Sequence, residues 1–147
     1  MFDSMSFKSV TTGARTAIGN APVSVTQACK KDGKQEQIYR LTREALDEAK
    51  LEYKDKVEIL YNAESTVCRI QKSKTGSGVT LSQQISNNPN SAAIIRLTFR
   101  PNVHPDLLER ARKETENQDK DKARYEHKEG RIDYQEGSVT FELELAE

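Results

Sequence analysis

The chain contains no tryptophan, two cysteines, two histidines and four prolines in 147 residues. Two thiols, Cys29 and Cys68, cannot build a disulfide framework and suit a reducing compartment. They form no Cys-x-x-Cys pair, and neither His104 nor His127 has a partner at metal-ligand spacing, so no metal site is expected. No run approaches the roughly 18 consecutive apolar residues of a membrane-spanning helix. The opening Met1-Phe2-Asp3-Ser4-Met5 has no basic region followed by an apolar block, so no secretory leader is read and a cytoplasmic, membrane-free protein is expected. Thr75-Gly76-Ser77-Gly78 lacks the Gly-Lys-Ser/Thr ending of a phosphate loop and reads as a turn, as does Asn87-Asn88-Pro89-Asn90. Carboxylates are plentiful but nothing selects an acid–base pair. The expectation is a protein with no catalytic residues, no cofactor and no enzymatic activity.

Apolar residues make up 35% of the chain, which implies a thin core. Charge is balanced at 23 basic and 23 acidic groups, yet it is unevenly distributed. Residues 1–31 carry a net +3, residues 32–64 a net −3, residues 65–105 a net +5 with no acid at all, and residues 106–147 a net −5. Basic and acidic blocks therefore alternate twice. A fold that places the basic blocks on one side would create a cationic face on a molecule with a pI near 6.8.

The doubled charge pattern has a counterpart in the residues. Ile38-Tyr39-Arg40-Leu41-Thr42 reappears as Ile94-Ile95-Arg96-Leu97-Thr98, each alternating as a half-buried strand does. A short amphipathic helix follows both: Arg43 to Lys50 with Ala45, Leu46 and Ala49 on one face, and a second from Pro105 with Leu107, Leu108 and Ala111. Each unit then ends in a hairpin. Superposing Tyr61 on Tyr134 matches Ile59 with Ile132, Cys68 with Phe141 and Ile70 with Leu143, so the apolar phase is kept in both strands. Upstream, Thr12–Thr16 with Arg15, and Thr75–Thr80 just after Lys72 and Lys74, are Gly-containing segments beside basic residues, followed by short strands at Val23–Val25 and Val79–Leu81. The pattern predicts an α+β, mostly β fold of two pseudo-symmetric β-β-α-β-β halves, residues 1–72 and 73–147, around one small barrel-like core. The whole is read as a single compact domain.

The second half is longer. Fourteen residues separate Thr42 from Val57, whereas thirty-two separate Thr98 from Arg131. Within this insertion near 100–130, Arg112 to Lys122 contains no apolar residue and is read as a solvated helix extension or a loop, available as a partner-recognition arm.

The stretch Gln37–Lys72 resembles the AbrB/SpoVT/MazE swapped-hairpin group of DNA-binding proteins. The likeness rests on a strand, the helix Thr42–Ala49, and the run Leu51-Glu52-Tyr53-Lys54-Asp55-Lys56-Val57-Glu58-Ile59. Members of that group dimerise by interlocking hairpins into one barrel whose basic surface sits on DNA, and some neutralise toxins. A tandem duplication would supply both copies in one chain. The sequence departs from the group at Lys50, where glycine is common, and at Leu46 and Asp47, where DNA binders are often basic.

These readings nominate Arg40 and Arg96, equivalent in the repeat, with Arg43, Arg100, Lys72 and Lys74 as a nucleic-acid-binding set. Arginine suits phosphate through its bidentate fork. The opposing reading of the arginines is ion pairing with Glu36, Glu44 or the C-terminal strand. Tyr39 could stack on a base but reads as core. The C-terminal Thr140–Leu145 has one oily and one anionic face. The expected function is a non-enzymatic DNA-binding regulator, of phage or mobile-element type, acting as a monomeric pseudo-dimer or a homodimer. The alternative is a module that binds a host or phage protein (an inhibitor, adaptor or virion component) through its acidic faces and the 112–122 arm.

Overall fold

The computed structural model describes residues 21–146, the side chains of Lys128 and Glu129 aside. The elements run β1 (Val23–Cys29), β2 (Gln35–Leu41), α1 (Arg43–Ala49), β3 (Lys56–Tyr61), β4 (Val67–Lys72), β5 (Val79–Thr80), β6 (Ser82–Gln83), β7 (Ala93–Thr98), α2 (Leu107–Thr115), β8 (Lys122–Gln135) and β9 (Ser138–Leu145). Residues 1–20, including the Thr12–Thr16 segment expected to open the first half, lie outside the described residues.

All strand pairs are antiparallel and belong to one nine-stranded sheet in the order β5-β3-β4-β9-β8-β1-β2-β7-β6. The two outermost strands are neighbours in the chain, joined by Leu81. The Leu81 N–H donates to the Asp55 carbonyl (3.0 Å) and its carbonyl accepts the Lys54 N–H (2.7 Å). One bent segment thus touches both edges, and the sheet forms a nearly closed barrel.

The element order is β-β-α-β-β twice over, with β5 and β6 together standing where β1 stands in the first half. Exchanging the halves leaves the order of strands around the barrel unchanged. The four hairpins lie within halves. The other four ladders, β4–β9, β8–β1, β2–β7 and β3–β5, each join a strand of one half to a strand of the other. The barrel is therefore built by hairpins from the two halves interlocking.

Alternation fills the interior, since successive strand side chains point to opposite faces. Val23, Val25 and Gln27 of β1 face in beside Leu41, Tyr39 and Gln37 of β2, and Phe141 and Val139 of β9 face Cys68 and Ile70 of β4. The helices close opposite ends. α1 starts where Thr42 caps the Ala45 N–H (3.2 Å) and buries Ala45, Leu46 and Ala49 at the Leu41 end. It stops at Lys50, which adopts the left-handed conformation (φ 56°). α2, capped by Asp106 on the Glu109 N–H (3.0 Å), buries Leu107, Leu108 and Ala111 at the other end.

A chain of buried side-chain hydrogen bonds fixes α2 to the barrel. The Leu107 N–H and the Gln37 amide both donate to Gln27 Oε1 (2.9 Å each), and the Gln37 amide also donates to the Pro105 carbonyl (2.8 Å). Gln27 donates to Asp106 Oδ1 (3.0 Å) and Gln35 Oε1 (2.8 Å). Tyr39 donates to Gln37 Oε1 (3.0 Å), which leaves Tyr61 as the donor in the 2.8 Å contact between the two hydroxyls. Buried amides are tolerable when each polar atom has a partner. Among the described residues no buried side-chain nitrogen or oxygen lacks one.

One expectation for the second half is corrected: its helix begins at Leu107 rather than Pro105, because Asp106 takes the cap. The Arg112–Lys122 segment is in part the expected helix extension and in part a turn: Arg112–Thr115 complete α2, Glu116 ends it in a left-handed turn (φ 55°), and the Arg112 side chain holds the Lys120 carbonyl (2.8 Å). Lys122 already begins β8, which pairs with β1 through residues 122–126. The extra length lies in the 99–105 loop, a nine-residue helix against seven, the 116–121 turn, and a register shift in β8 between His127 and Ile132.

Candidate nucleic-acid interface

The outer faces of β8, β1, β2 and β7 make one continuous wall. With Val25, Tyr39, Ile95 and Tyr125 pointing in, the outward positions are Lys122, Arg124 and Glu126 on β8, Ser24 and Thr26 on β1, Glu36, Ile38 and Arg40 on β2, and Ile94, Arg96 and Thr98 on β7. Arg40 and Arg96 occupy equivalent places on adjacent strands. Arg40 Nε donates to Gln84 Oε1 (3.1 Å), and Arg96 pairs with Glu36 (2.9 Å). Arg124 pairs with Glu126 (2.7 Å). Burial, and then the nearby Arg124 charge, lower the Arg40 pKa from its ordinary value, so two like charges meet across β1. The β1–β2 turn extends this wall with exposed Lys30, Lys31 and Lys34, Lys30 lying 3.4 Å from Glu36.

The six residues nominated from sequence do not share one face. Arg40 and Arg96 lie on the β2–β7 wall. Lys72 and Lys74 lie at the end of β4, which the strand order puts on the opposite side of the barrel, and Lys72 approaches Asp55 (3.9 Å). Arg43 opens α1 at the Leu41 end, held by Asp47 (2.6 Å) and Glu52 (3.5 Å) with its guanidinium 5.2 Å from the Tyr53 ring. Hydrogen bonding to Asp47, then to Tyr53, raises its pKa. Arg100 sits in the loop after β7, at the other end, and its N–H donates to His104 Nδ1 (2.9 Å). Tyr39 is fully buried and cannot stack on a base.

Arg124, Lys122 and the turn lysines share the wall of Arg40 and Arg96 without having been nominated from the sequence. The signal for the first two was present, since Ala123-Arg124-Tyr125-Glu126 alternates like a strand, but it lay beside a stretch with no apolar residue. The outer face of the far wall is mixed in sign: Glu58 and Glu142 share it with Lys56, Arg69 and Arg131, the last 3.5 Å from Glu142, and Glu144 lies beside Glu126 at the border with β8. Among the described residues no cluster of His, Cys, Asp or Glu could hold a metal ion, and no helix is long and apolar enough to cross a membrane. No family model matches this chain, and neither a curated protein nor a solved structure matches it.

Proposed function

We propose that this protein is a non-enzymatic DNA-binding regulator that lays the β8–β1–β2–β7 wall along the phosphate backbone. The observation that carries the reading is the convergence of Arg40, Arg96 and Arg124 on one outer surface continued by the turn lysines. Each acid on that wall already serves a cation, so phosphate oxygens can take over from Glu36 and Glu126 as partners. Two β-β-α-β-β halves interlocked in one barrel are also the arrangement that the likeness to the swapped-hairpin group implies, with one chain serving as a pseudo-dimer. Lys72, Lys74, Arg43 and Arg100 drop out of the contact set.

The test is a fluorescence-anisotropy titration of random duplex DNA over a salt series. Log affinity should fall by about 0.9 per log unit of salt for each phosphate engaged. Combined Arg40→Ala, Arg96→Ala and Arg124→Ala substitution should flatten that slope, while Lys72→Ala with Lys74→Ala should not. A slope equal in both variants, or no retention of DNA at low salt, rejects the proposal and favours the alternative, a module that binds a protein.

A further inference from the structure

The barrel wall is incomplete on one side. The β3–β5 ladder stops at Val57 and the β6–β7 ladder stops at Ile94, so β3 and β7 part beyond these points. In the first half, α1 follows β2 directly through Thr42. In the second half the 99–105 loop separates β7 from α2, and an opening is left between the strands. It is a cleft of about 450 Å³ walled by Ile59, Tyr61, Val79, Leu97, Val103 and His104, with Tyr39 at its floor. That is within the range of small-molecule sites, roughly 300–1,000 Å³.

Three further observations define what fits. Of the three large apolar side chains most exposed among the described residues, Leu60 (40%) and Val103 (70%) both stand on this cleft. The walls are fixed: the Val103 and His104 N–H groups both donate to the Arg100 carbonyl (3.0 Å), and Gly78 approaches β3 so closely that a Cβ would lie 2.4 Å from the Val57 oxygen. The polar groups are also fixed. His104 Nδ1 accepts the Arg100 N–H, so the neutral ring carries its hydrogen on Nε2. Burial, and then Arg100, lower the His104 pKa and keep the ring neutral. The Tyr61 hydroxyl spends its hydrogen on Tyr39 and can only accept. Glu58 on the lining disfavours an anion, and Arg100 beside His104 disfavours a cation.

We propose that this cleft binds a small, uncharged, mostly apolar molecule carrying one hydrogen-bond-accepting oxygen, which His104 Nε2–H receives. The site is independent of the basic wall. The probe is Prodan, a neutral naphthyl ketone whose emission shifts to the blue in apolar surroundings, titrated into the full chain. Saturable one-to-one binding is expected. Val103→Asp and Leu60→Asp, at exposed positions that leave the circular dichroism unchanged, should each weaken it by at least about fivefold, as a charge replaces apolar contact. His104→Ala should weaken Prodan more than the naphthylamine that lacks the ketone. No saturable blue shift, or affinities equal in wild type, Val103→Asp and Leu60→Asp, overturns the assignment.

Discussion

Tyr39 and Ile95 face each other across the β2–β7 ladder, and they are the same position in the two copies of the Ile-x-Arg-Leu-Thr motif. The relationship recurs on the far side of the barrel, where Cys68 is paired with Phe141, its match when Tyr61 is laid on Tyr134. A residue can pair with its own equivalent in an antiparallel ladder only where a two-fold axis passes between them. The two pairs therefore mark the points where a pseudo-dyad pierces opposite walls. Only one member of each pair carries a polar group in the core, so the symmetry of the backbone holds an asymmetric interior.

That asymmetry is measurable. Tyr39 both donates to Gln37 and accepts from Tyr61, whereas Tyr61, among the described residues, has no amide partner and meets only Tyr39 and the Cys68 thiol. Tyr39→Phe strands a buried amide oxygen and removes Tyr61's acceptor, and it is expected to cost about 2–3 kcal/mol. Tyr61→Phe should cost about 1 kcal/mol. Urea denaturation of both variants checks the order.

The same cluster sets the alkaline limit. Burial pushes the Cys68 thiol from 9.0 up to about 12, the Tyr61 hydroxyl opposing, and burial followed by the Glu114 charge takes Tyr125 from 10.0 to about 12. Burial also raises Tyr39 and Tyr61. Folded values above unfolded ones mean that the unfolded chain ionises first. Their contribution is then complete below about pH 9 and lost as pH rises toward about 12. The urea midpoint should be level from about pH 7 to 8.5 and fall beyond. Cys68→Ala should remove the earliest part of that fall, because the thiol has the lowest unfolded value.

The β-rich class, the twofold element order and the apolar phase of both hairpins were legible because each depends on local alternation. The first part of β8 was not, since Lys122–His127 adjoin a run with no apolar residue and the in-facing Ala123 is too small to register as a core residue, whereas Ile132 and Tyr134 marked its second part. The fold divides the nominated basic set. Arg40 and Arg96 share a repeat position and so a wall, but Lys72 and Lys74 were grouped with them through charge in the sequence, which carries no information about the side of a closed barrel. The glutamines were invisible for a different reason: nothing in the sequence marks Gln27 and Gln37 as core, and only the N-terminus of α2 makes them so.

Lys50 offers a stabilising change. Its left-handed backbone (φ 56°) bears a Cβ that glycine would not, and its side chain is exposed. Lys50→Gly is expected to raise stability by about 0.5–1 kcal/mol, the strain relieved outweighing the greater freedom of the unfolded chain. Gly78→Ala should do the reverse, by at least about 2 kcal/mol, because φ is +111° and the Val57 backbone occupies the space. Gly33→Ala, with φ +86° and nothing within 4 Å, should cost about 1 kcal/mol and serves as the steric control. Thermal melts of the three variants give the comparison.

The interlocked ladders lead to a prediction about chain integrity. Among the described residues neither half has a ladder of its own beyond its two hairpins, and isolated two-stranded hairpins are marginal in water. Residues 1–75 or 76–147 alone should therefore show no cooperative unfolding transition. A protease site inserted between Thr75 and Gly76, both exposed, cuts the covalent link without touching a ladder. After cleavage the two pieces should still elute as one particle and melt cooperatively, held by β4–β9, β8–β1, β2–β7 and β3–β5. The melt should become dependent on concentration, since folding is now an association. Separation of the fragments under native conditions, or a folded isolated half, would mean that the hairpins pack within halves rather than between them.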